Sequence, residues 1–213
     1  KREQISRLAL TPAESFSFYS DLIVHLLEVA VRTGNQMPSS KLSRLLNSKQ
    51  ALLYLKERNG QERALLTGAF SAGGLTSAQF NMFLGLLGDQ ATFQRIAISY
   101  ATPKQETLLL DKLSAPATKE IATIEQMVKD KGPNTELGYS AEDWFAKITV
   151  KIDILRIVEE SYTADIQNEI RDNMDESRRA LWLYSILLAT ALSLTLWLCI
   201  QIIRNLLRTI GGE

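Results

Sequence analysis

The most constraining feature of the sequence is an uncharged segment near its carboxyl end, residues 180–203. It holds 24 residues without Asp, Glu, Lys or Arg, and a helix of that length extends about 36 Å at about 1.5 Å per residue. This length is enough to cross the hydrocarbon core of a bilayer. Trp182 and Tyr184 stand near one end and Trp197 near the other, as interfacial aromatic residues do. The sequence therefore predicts a transmembrane helix over residues 180–203.

A long helix leads into this segment. Ser140 followed by Glu142 and Asp143 is typical of a helix start. No proline or glycine follows Ser140 until Gly211, and apolar residues recur at helical spacing from Trp144 onward. We therefore expect one helix to continue from here through the membrane segment, over a length on the order of 100 Å.

The remainder of the chain has the same helical character. Patterns typical of a helix start recur along the chain: a capping residue, often followed by proline or by a glutamine three positions later. No stretch shows the alternation of apolar and polar residues that is typical of a strand. The starts are at Thr11, at Ser39 or Ser40, at Thr76 and at Thr102, and Pro116 should interrupt the run that begins at Thr102. The predicted fold is all-α, an antiparallel helical bundle with a long C-terminal helix continuing into a transmembrane span.

Composition excludes several classes of function. The 24 basic and 24 acidic residues cancel, so charge gives no argument for nucleic acid as a partner. With one cysteine, Cys199, and one histidine, His25, neither a disulfide framework nor a Cys/His zinc site can be built. There is also no nucleophile elbow and no phosphate loop. We therefore expect no catalytic residues, no metal and no cofactor, and a protein that is not an enzyme.

The candidate functional residues lie in the segment Lys41 to Phe70. Its apolar stripe passes through four polar positions, and an isolated buried charge costs several kcal/mol unless it is paired. Gly60 adds to the anomaly, because glycine costs roughly 1 kcal/mol in a helix interior and leaves bare surface. The stripe consists of Leu42, Leu45, Leu46, Leu52, Leu53, Leu66 and Phe70, and the polar positions within it are Lys49, Lys56, Asn59 and Arg63.

These residues suggest an anion site. The planar fork of Arg63 suits a trigonal oxyanion better than the point charge of a lysine. Lys56 and Asn59 lie two turns and one turn away, and Gly60 leaves space for a small ligand. We therefore predict Arg63, Asn59, Lys56 and Gly60 as ligand-binding residues.

Other charged and polar residues of this region have a simpler interpretation. Lys49 and Lys56 at heptad spacing are typical of solvated lysines beside an apolar stripe. For Lys56 this interpretation stands beside the prediction that it binds the ligand. Pairs four residues apart, Arg58 with Glu62 and Glu57 with Gln61, are typical of helix surfaces. The amides Gln90 and Gln94 are interpreted as surface groups, with donation to an anion as the alternative.

A family resemblance rests on the same segment. Lys56-Glu57, then Gly60-Gln61-Glu62-Arg63-Ala64, Phe70 and Gly73-Gly74 resemble the second signature of the nitrate- and nitrite-sensing domain, an all-helical sensor of bacterial receptors. The resemblance extends from about Thr11 to Ser161. It implies that Arg63 contacts the anion and that a second arginine comes from a Glu-Arg-Gly element on an earlier helix. That element is absent from the sequence, so either it precedes Lys1 or this protein has half the site.

The sequence thus divides into four predicted parts. Residues 1–10 are interpreted as the remnant of a truncated helix, 11–178 as the ligand-sensing domain, 180–203 as the transmembrane helix and 204–213 as the start of a cytoplasmic linker. The last assignment rests on Ile210 to Glu213, which resemble the junction of bacterial chemoreceptors with their HAMP linker. Basic residues flank both ends of the span, so charge alone does not decide its orientation.

The function predicted from these parts is that of an extracytoplasmic sensor module of a bacterial transmembrane chemoreceptor. It would bind nitrate or nitrite, lie in the inner membrane with its sensor periplasmic or extracellular, and continue into a HAMP linker and a chemotaxis signalling region. Ser185, Ala189 and Ser193 form a column of small residues, which favours a homodimer. The alternative is a membrane-anchored helical bundle, the input of a histidine kinase or a cyclic-di-GMP enzyme, without an anion ligand.

Overall fold

A computed structural model describes residues 11–34 and 39–210, and in these ranges the chain is helical and contains no β-strand. The all-α prediction is therefore confirmed. The expected helix remnant at residues 1–10 and the end of the linker at 211–213 lie outside the described residues. The helices are α1 (Pro12–Gly34), α2 (Ser40–Ala72), α3 (Ser77–Tyr100), α4 (Pro103–Leu113), α5 (Pro116–Lys131) and α6 (Ala141–Ile210).

The helices begin where the sequence indicates. The Ser39 hydroxyl accepts a hydrogen bond from the backbone N–H of Leu42, and the Ser140 hydroxyl accepts one from Asp143. Thr76 and Thr102 each form a full capping box with the glutamine three residues later. These side chains satisfy backbone donors that the first turn leaves without partners, which fixes the boundaries.

Pro116 divides what would otherwise be one helix. Helix α4 ends at Leu113, and α5 begins with Pro116 as its first residue. A proline in a helix interior lacks the N–H donor and clashes with the preceding turn, whereas at the first position neither defect matters. The predicted interruption is therefore confirmed as a complete break.

The chain forms two units, Lys1–Ile166 and Gln167–Glu213. In the first unit, three clusters of buried side chains lie along α2 and α6, and both helices contribute to each cluster; the smallest consists of Leu42, Leu45 and Ile166. Burial of such side chains is the main stabilising term of the fold. Members of the first cluster include Leu66, Phe83, Ile121, Val128, Trp144 and Ile148; members of the second include Leu52, Leu55, Ala97, Leu109, Leu155 and Tyr162.

The second unit is the carboxyl-terminal part of α6. Its most apolar stretch has a mean hydropathy of 2.2, and none of that stretch is buried. The helix is thus long and apolar enough to cross a membrane. The hydroxyls of Ser185 and Ser193 donate to the carbonyl oxygens of Leu181 and Ala189 one turn earlier, so these polar groups are satisfied within the helix, as an apolar surrounding requires.

The turn between α2 and α3 is held by the loop that precedes α6. Gly73 has a φ of 89°, a left-handed conformation that glycine adopts without strain, and its carbonyl oxygen accepts a hydrogen bond from the N–H of Leu137 at 2.9 Å. At Gly74 a Cβ atom would lie 2.7 Å from the carbonyl oxygen of Thr135. Glycine is therefore required at position 74 by the close approach of two backbones.

We expect Gly74→Ala to lower the free energy of unfolding by about 1–3 kcal/mol, because the loop must move to admit the methyl group. Gly88→Ala on α3 is the matched control, since its Cβ meets nothing within 4 Å. The measurement is urea unfolding followed by fluorescence in a Trp182→Phe, Trp197→Phe background, where buried Trp144 is the reporter. Equal stabilities of the two variants would contradict the close approach.

Candidate functional site

A cavity of about 330 Å³ opens between α1, α2 and α6. Three of the four residues predicted to bind a ligand, Lys56, Gly60 and Arg63, line it together, and Asn59 does not. The other lining residues are Ile23 from α1, Leu53 and Glu57 from α2, and Ile152 from α6.

The spacing along α2 explains which side chains reach the cavity. Lys56, Gly60 and Arg63 are separated by four and three residues, so they fall on one face of the helix. Asn59 lies on a different face and is fully buried. Its amide nitrogen donates to the carbonyl oxygen of Leu55 at 2.8 Å, and this bond turns the side chain back along its own helix.

Helix α6 holds Arg63 in position. The Nη1 atom of Arg63 donates a hydrogen bond to the Thr149 hydroxyl at 3.1 Å. The Cζ atom of Arg63 lies 4.8 Å from the centroid of the Phe145 ring, which is a cation–π distance. The Arg63 carbonyl oxygen accepts hydrogen bonds from the Trp144 indole at 3.2 Å and from the Thr67 hydroxyl at 2.6 Å. The guanidinium has five N–H donors, and Thr149 is its one hydrogen-bonded side chain among those described.

The cavity wall carries charges of both signs. Lys56 forms an ion pair with Glu159, and Glu57 accepts a hydrogen bond from Gln61 at 3.0 Å. Burial raises the pKa of Glu57, against the opposing effects of the Gln61 hydrogen bond and the charges of Arg58 and Lys56. Arg63 is thus the cation of this wall that has no carboxylate partner among the described residues.

The assignment to the surface is wrong for three residues, Gln61, Glu62 and Gln90, although Gln61 does form the predicted pair with Glu57. Glu62 is fully buried and does not pair with Arg58, which instead contacts Asp89 at 2.8 Å. Gln90 is also buried and donates to Glu62 at 2.7 Å. The reason is tertiary: α3 and α5 cover the side of α2 that faces away from the cavity, and helical spacing alone does not indicate this.

Sequence reasoning missed the contribution of α6 and α1. Phe145, Thr149 and Ile152 sit between the core positions of α6 and have no motif of their own, and Ile23 is one of several apolar residues of α1. The weak signal for Phe145 and Thr149 is their spacing of four residues, which puts both on one face of α6.

His25 and Cys199, the one histidine and the one cysteine of the sequence, are not among the residues that line the cavity. His25 is exposed, and its Nδ1 lies 2.7 Å from the carbonyl oxygen of Asp21 one turn earlier. Cys199 is exposed within the apolar part of α6. Across residues 11–34 and 39–210, no group of three or more His, Cys, Asp or Glu side chains could hold a metal ion.

Similarity to known proteins extends over most of the chain. The profile of the family described as "Nitrate and nitrite sensing" matches residues 1–167. A nitrate regulatory protein of Klebsiella oxytoca is 24% identical over 168 residues, which are 78% of this chain and 42% of that protein. The chain therefore spans less than half the length of this relative. No solved structure matches the chain.

Gly60→Ala tests whether the cavity is open space. A Cβ at Gly60 would meet nothing within 4 Å, so we expect the variant to gain about 0.5–1 kcal/mol of stability from the higher helix propensity of alanine. Gly68→Ala, on the same helix and equally unobstructed, should gain as much. The measurement is urea unfolding with the Trp144 reporter. A loss of stability confined to Gly60→Ala would mean that the cavity is filled.

Proposed function

Because the chain belongs to the nitrate- and nitrite-sensing family, we propose that the cavity beside Arg63 binds nitrate or nitrite and that the protein is a sensor, not an enzyme. The observation that carries this proposal is the setting of Arg63. Its guanidinium lines the cavity, is fixed by Thr149 and Phe145, and retains donors for a ligand.

The chemistry of the cavity fits a small planar anion. Two parallel N–H groups of a guanidinium match two oxygens of a trigonal oxyanion. Ile23, Leu53 and Ile152 supply apolar wall, which excludes water and strengthens the charge-assisted hydrogen bonds. Gly60 leaves the space beside Arg63 open. We propose that Arg63 is the primary ligand contact, that Lys56 is a second cation and that Gly60 leaves the space for the ligand. Asn59 points away from the cavity and would contribute only indirectly, through its hydrogen bond within α2.

One observation favours the alternative, a bundle that binds no anion. The charge of Lys56 is compensated by Glu159, and Glu57 adds a carboxylate to the cavity wall. An anion would thus enter a site whose charges nearly balance. This alternative, a membrane-anchored interaction module, remains the competing hypothesis, and direct binding measurements distinguish the two.

We further propose that the full protein is a bacterial inner-membrane receptor. The apolar stretch of α6 would cross the bilayer, with the sensing domain periplasmic or extracellular and Arg208 on the cytoplasmic side. A HAMP linker and a chemotaxis signalling region would follow in the longer protein. The support is the length and hydropathy of α6 together with the similarity of Ile210 to Glu213 to a chemoreceptor junction.

A homodimer is the assembly we propose for the membrane part. Ala189 and Ser193 line a depression on the exposed face of α6, beside Ile186 and Trp197. Small side chains allow two helices to approach closely. A second copy of the same helix would fill this depression.

Titration calorimetry with nitrate and with nitrite, on the whole chain in lipid nanodiscs and chloride-free buffer, tests the ligand. We expect Arg63→Ala to weaken binding at least about 10-fold, because a hydrogen bond to a charged group contributes about 1.5–3 kcal/mol. Arg63→Lys should also weaken it, since the fork is lost while the charge stays. Gly60→Ala should weaken binding by filling the cavity.

Arg156→Ala is the matched control, because it removes one arginine from the exposed surface of α6, where it pairs with Asp153 and Glu160. Its affinity should equal that of the parent chain. Binding that survives Arg63→Ala unchanged would refute the proposed contact. Absence of binding to either anion would favour the interaction module.

Cysteine labelling tests the orientation. In a Cys199→Ala background, we expect Glu142→Cys to react with a membrane-impermeant maleimide in intact bacterial cells and Arg208→Cys to react only after lysis. Both positions are exposed, so accessibility within the protein does not distinguish them. The reverse pattern would contradict an extracytoplasmic sensor.

A further inference from the structure

Four polar side chains meet in the interior of the bundle, one from each of four helices. Gln90 of α3 donates to Glu62 of α2 at 2.7 Å. Lys151 of α6 lies 3.3 Å from the Gln90 side-chain oxygen and 3.2 Å from the carboxylate of Glu125 of α5. Glu62 and Glu125 are thus linked through Gln90 and Lys151, and the negative charge of Glu125 acts on Glu62. We call this set, Glu62, Gln90, Glu125 and Lys151, the interior cluster.

The composition of the interior cluster favours a bound proton. With both carboxyl groups ionised, the cluster holds two negative charges and one ammonium group, and two carboxylates close together in the interior repel each other. Glu62 is fully buried, and its Oε1 has no hydrogen-bond partner among the described residues. One proton bound to the cluster removes the repulsion between the carboxyl groups and makes the cluster neutral. Burial, followed by the charge of Glu125, raises the pKa of Glu62 to about 8.

Three helices pack against Glu62, and each contributes one polar side chain to its surroundings. Helix α5 contributes Glu125, α6 contributes Lys151, and α3 contributes the uncharged Gln90. Arg58, one turn earlier on α2, is paired with Asp89 of α3. Lys151, which pairs with Glu125, is therefore the one positive charge of the interior cluster in the described part of the chain.

The interior cluster lies directly behind the cavity. Glu62 and Arg63 are consecutive on α2, one facing the interior and the other the cavity. On α6, Lys151 belongs to the cluster. Thr149, two residues earlier, accepts a hydrogen bond from Arg63, and Ile152, the next residue, lines the cavity. A shift of α2 against α6, or a new charge in the cavity, would therefore change the electrostatic environment of the interior cluster.

We propose that the interior cluster is a proton-binding site and that its proton is linked to the binding of an anion in the cavity, so that each favours the uptake of the other. The first part stands on the cluster alone. The second part rests on the function proposed above.

The sign of the linkage follows from charge. An anion beside Arg63 is repelled by a net negative cluster and not by a neutral one, so anion affinity should rise as pH falls through about 8 and level off below. We expect the charge of the cluster to change anion affinity about 5- to 10-fold, at the lower end of the range typical of coupled sites. By reciprocity, anion binding at pH 8–9 should draw protons from the buffer.

The proton site is tested through the pH dependence of unfolding in the Trp144-reporter background, with no ligand present. The pKa of Glu62 is raised from 4.5 to about 8, so the native state retains a proton that the unfolded state releases. Stability conferred by this proton is full below about 4.5 and is lost as pH rises to about 8. Glu62→Gln, which imitates the protonated form, should lack this fall, as should Glu125→Gln if the carboxyl groups share the proton. The same fall in both variants as in the parent would overturn the proton site.

The linkage is tested by nitrate titration calorimetry at pH 8.5 in buffers of different ionisation enthalpy, on the whole chain in nanodiscs. The parent should take up a fraction of a proton per nitrate bound. Glu62→Gln should take up none and bind as tightly at pH 9 as the parent does at pH 6.5. Glu57→Gln is the control for a carboxylate of the cavity wall itself, and proton uptake should persist in it.

The outcomes separate the two proposals. If the parent binds nitrate without proton uptake, the linkage is refuted and the sensor function stands. If uptake is lost in Glu57→Gln and kept in Glu62→Gln, the proton belongs to the cavity and the linkage to the cluster is refuted. If nitrate does not bind at all, the sensor function and the linkage fail together, and unfolding alone decides the proton site.

Discussion

The hydrogen bond from the Trp144 indole to the carbonyl oxygen of Arg63 joins α6 to α2 at the level of the cavity. Trp144 is the largest fully buried side chain and belongs to the first core cluster, so the bond joins the backbone at Arg63 to a side chain that the core holds in place. The next residue, Phe145, then meets the guanidinium, and Thr149 follows one turn later. The position of the cation thus follows from the packing of the core and not from a flexible loop.

Much of this arrangement was predictable from the sequence, for reasons that are local. Helix starts depend on a capping residue and its partner three positions later, and Thr76 with Gln79 shows both halves. The convergence of Lys56, Gly60 and Arg63 on one face follows from helical periodicity alone. The apolar part of α6 follows from composition.

What could not be predicted depends on which helix covers which face. Glu62 and Gln90 have the spacing of surface residues, and only the packing of α3 and α5 over α2 buries them. A buried carboxyl group requires partners from other helices, and Glu125 and Lys151 carry no sign in the sequence that they provide them. The inward direction of Asn59 was hidden for the same reason. Periodicity gives the relative directions of side chains on one helix, and tertiary contacts decide what each direction faces.

The spacing from Lys56 to Glu62 and Arg63 limits how the sequence of α2 can change over time. Consecutive residues on an α-helix point about 100° apart, so one inserted or deleted residue between Lys56 and Glu62 would rotate the two ends of this segment by that angle relative to each other. Lys56, before the change, and Arg63, after it, could not then both line the cavity. Related sequences can vary the identity of the intervening residues, but alignment gaps should be absent between positions 56 and 63. We therefore expect the length of this segment to be conserved more strictly than the identity of its residues.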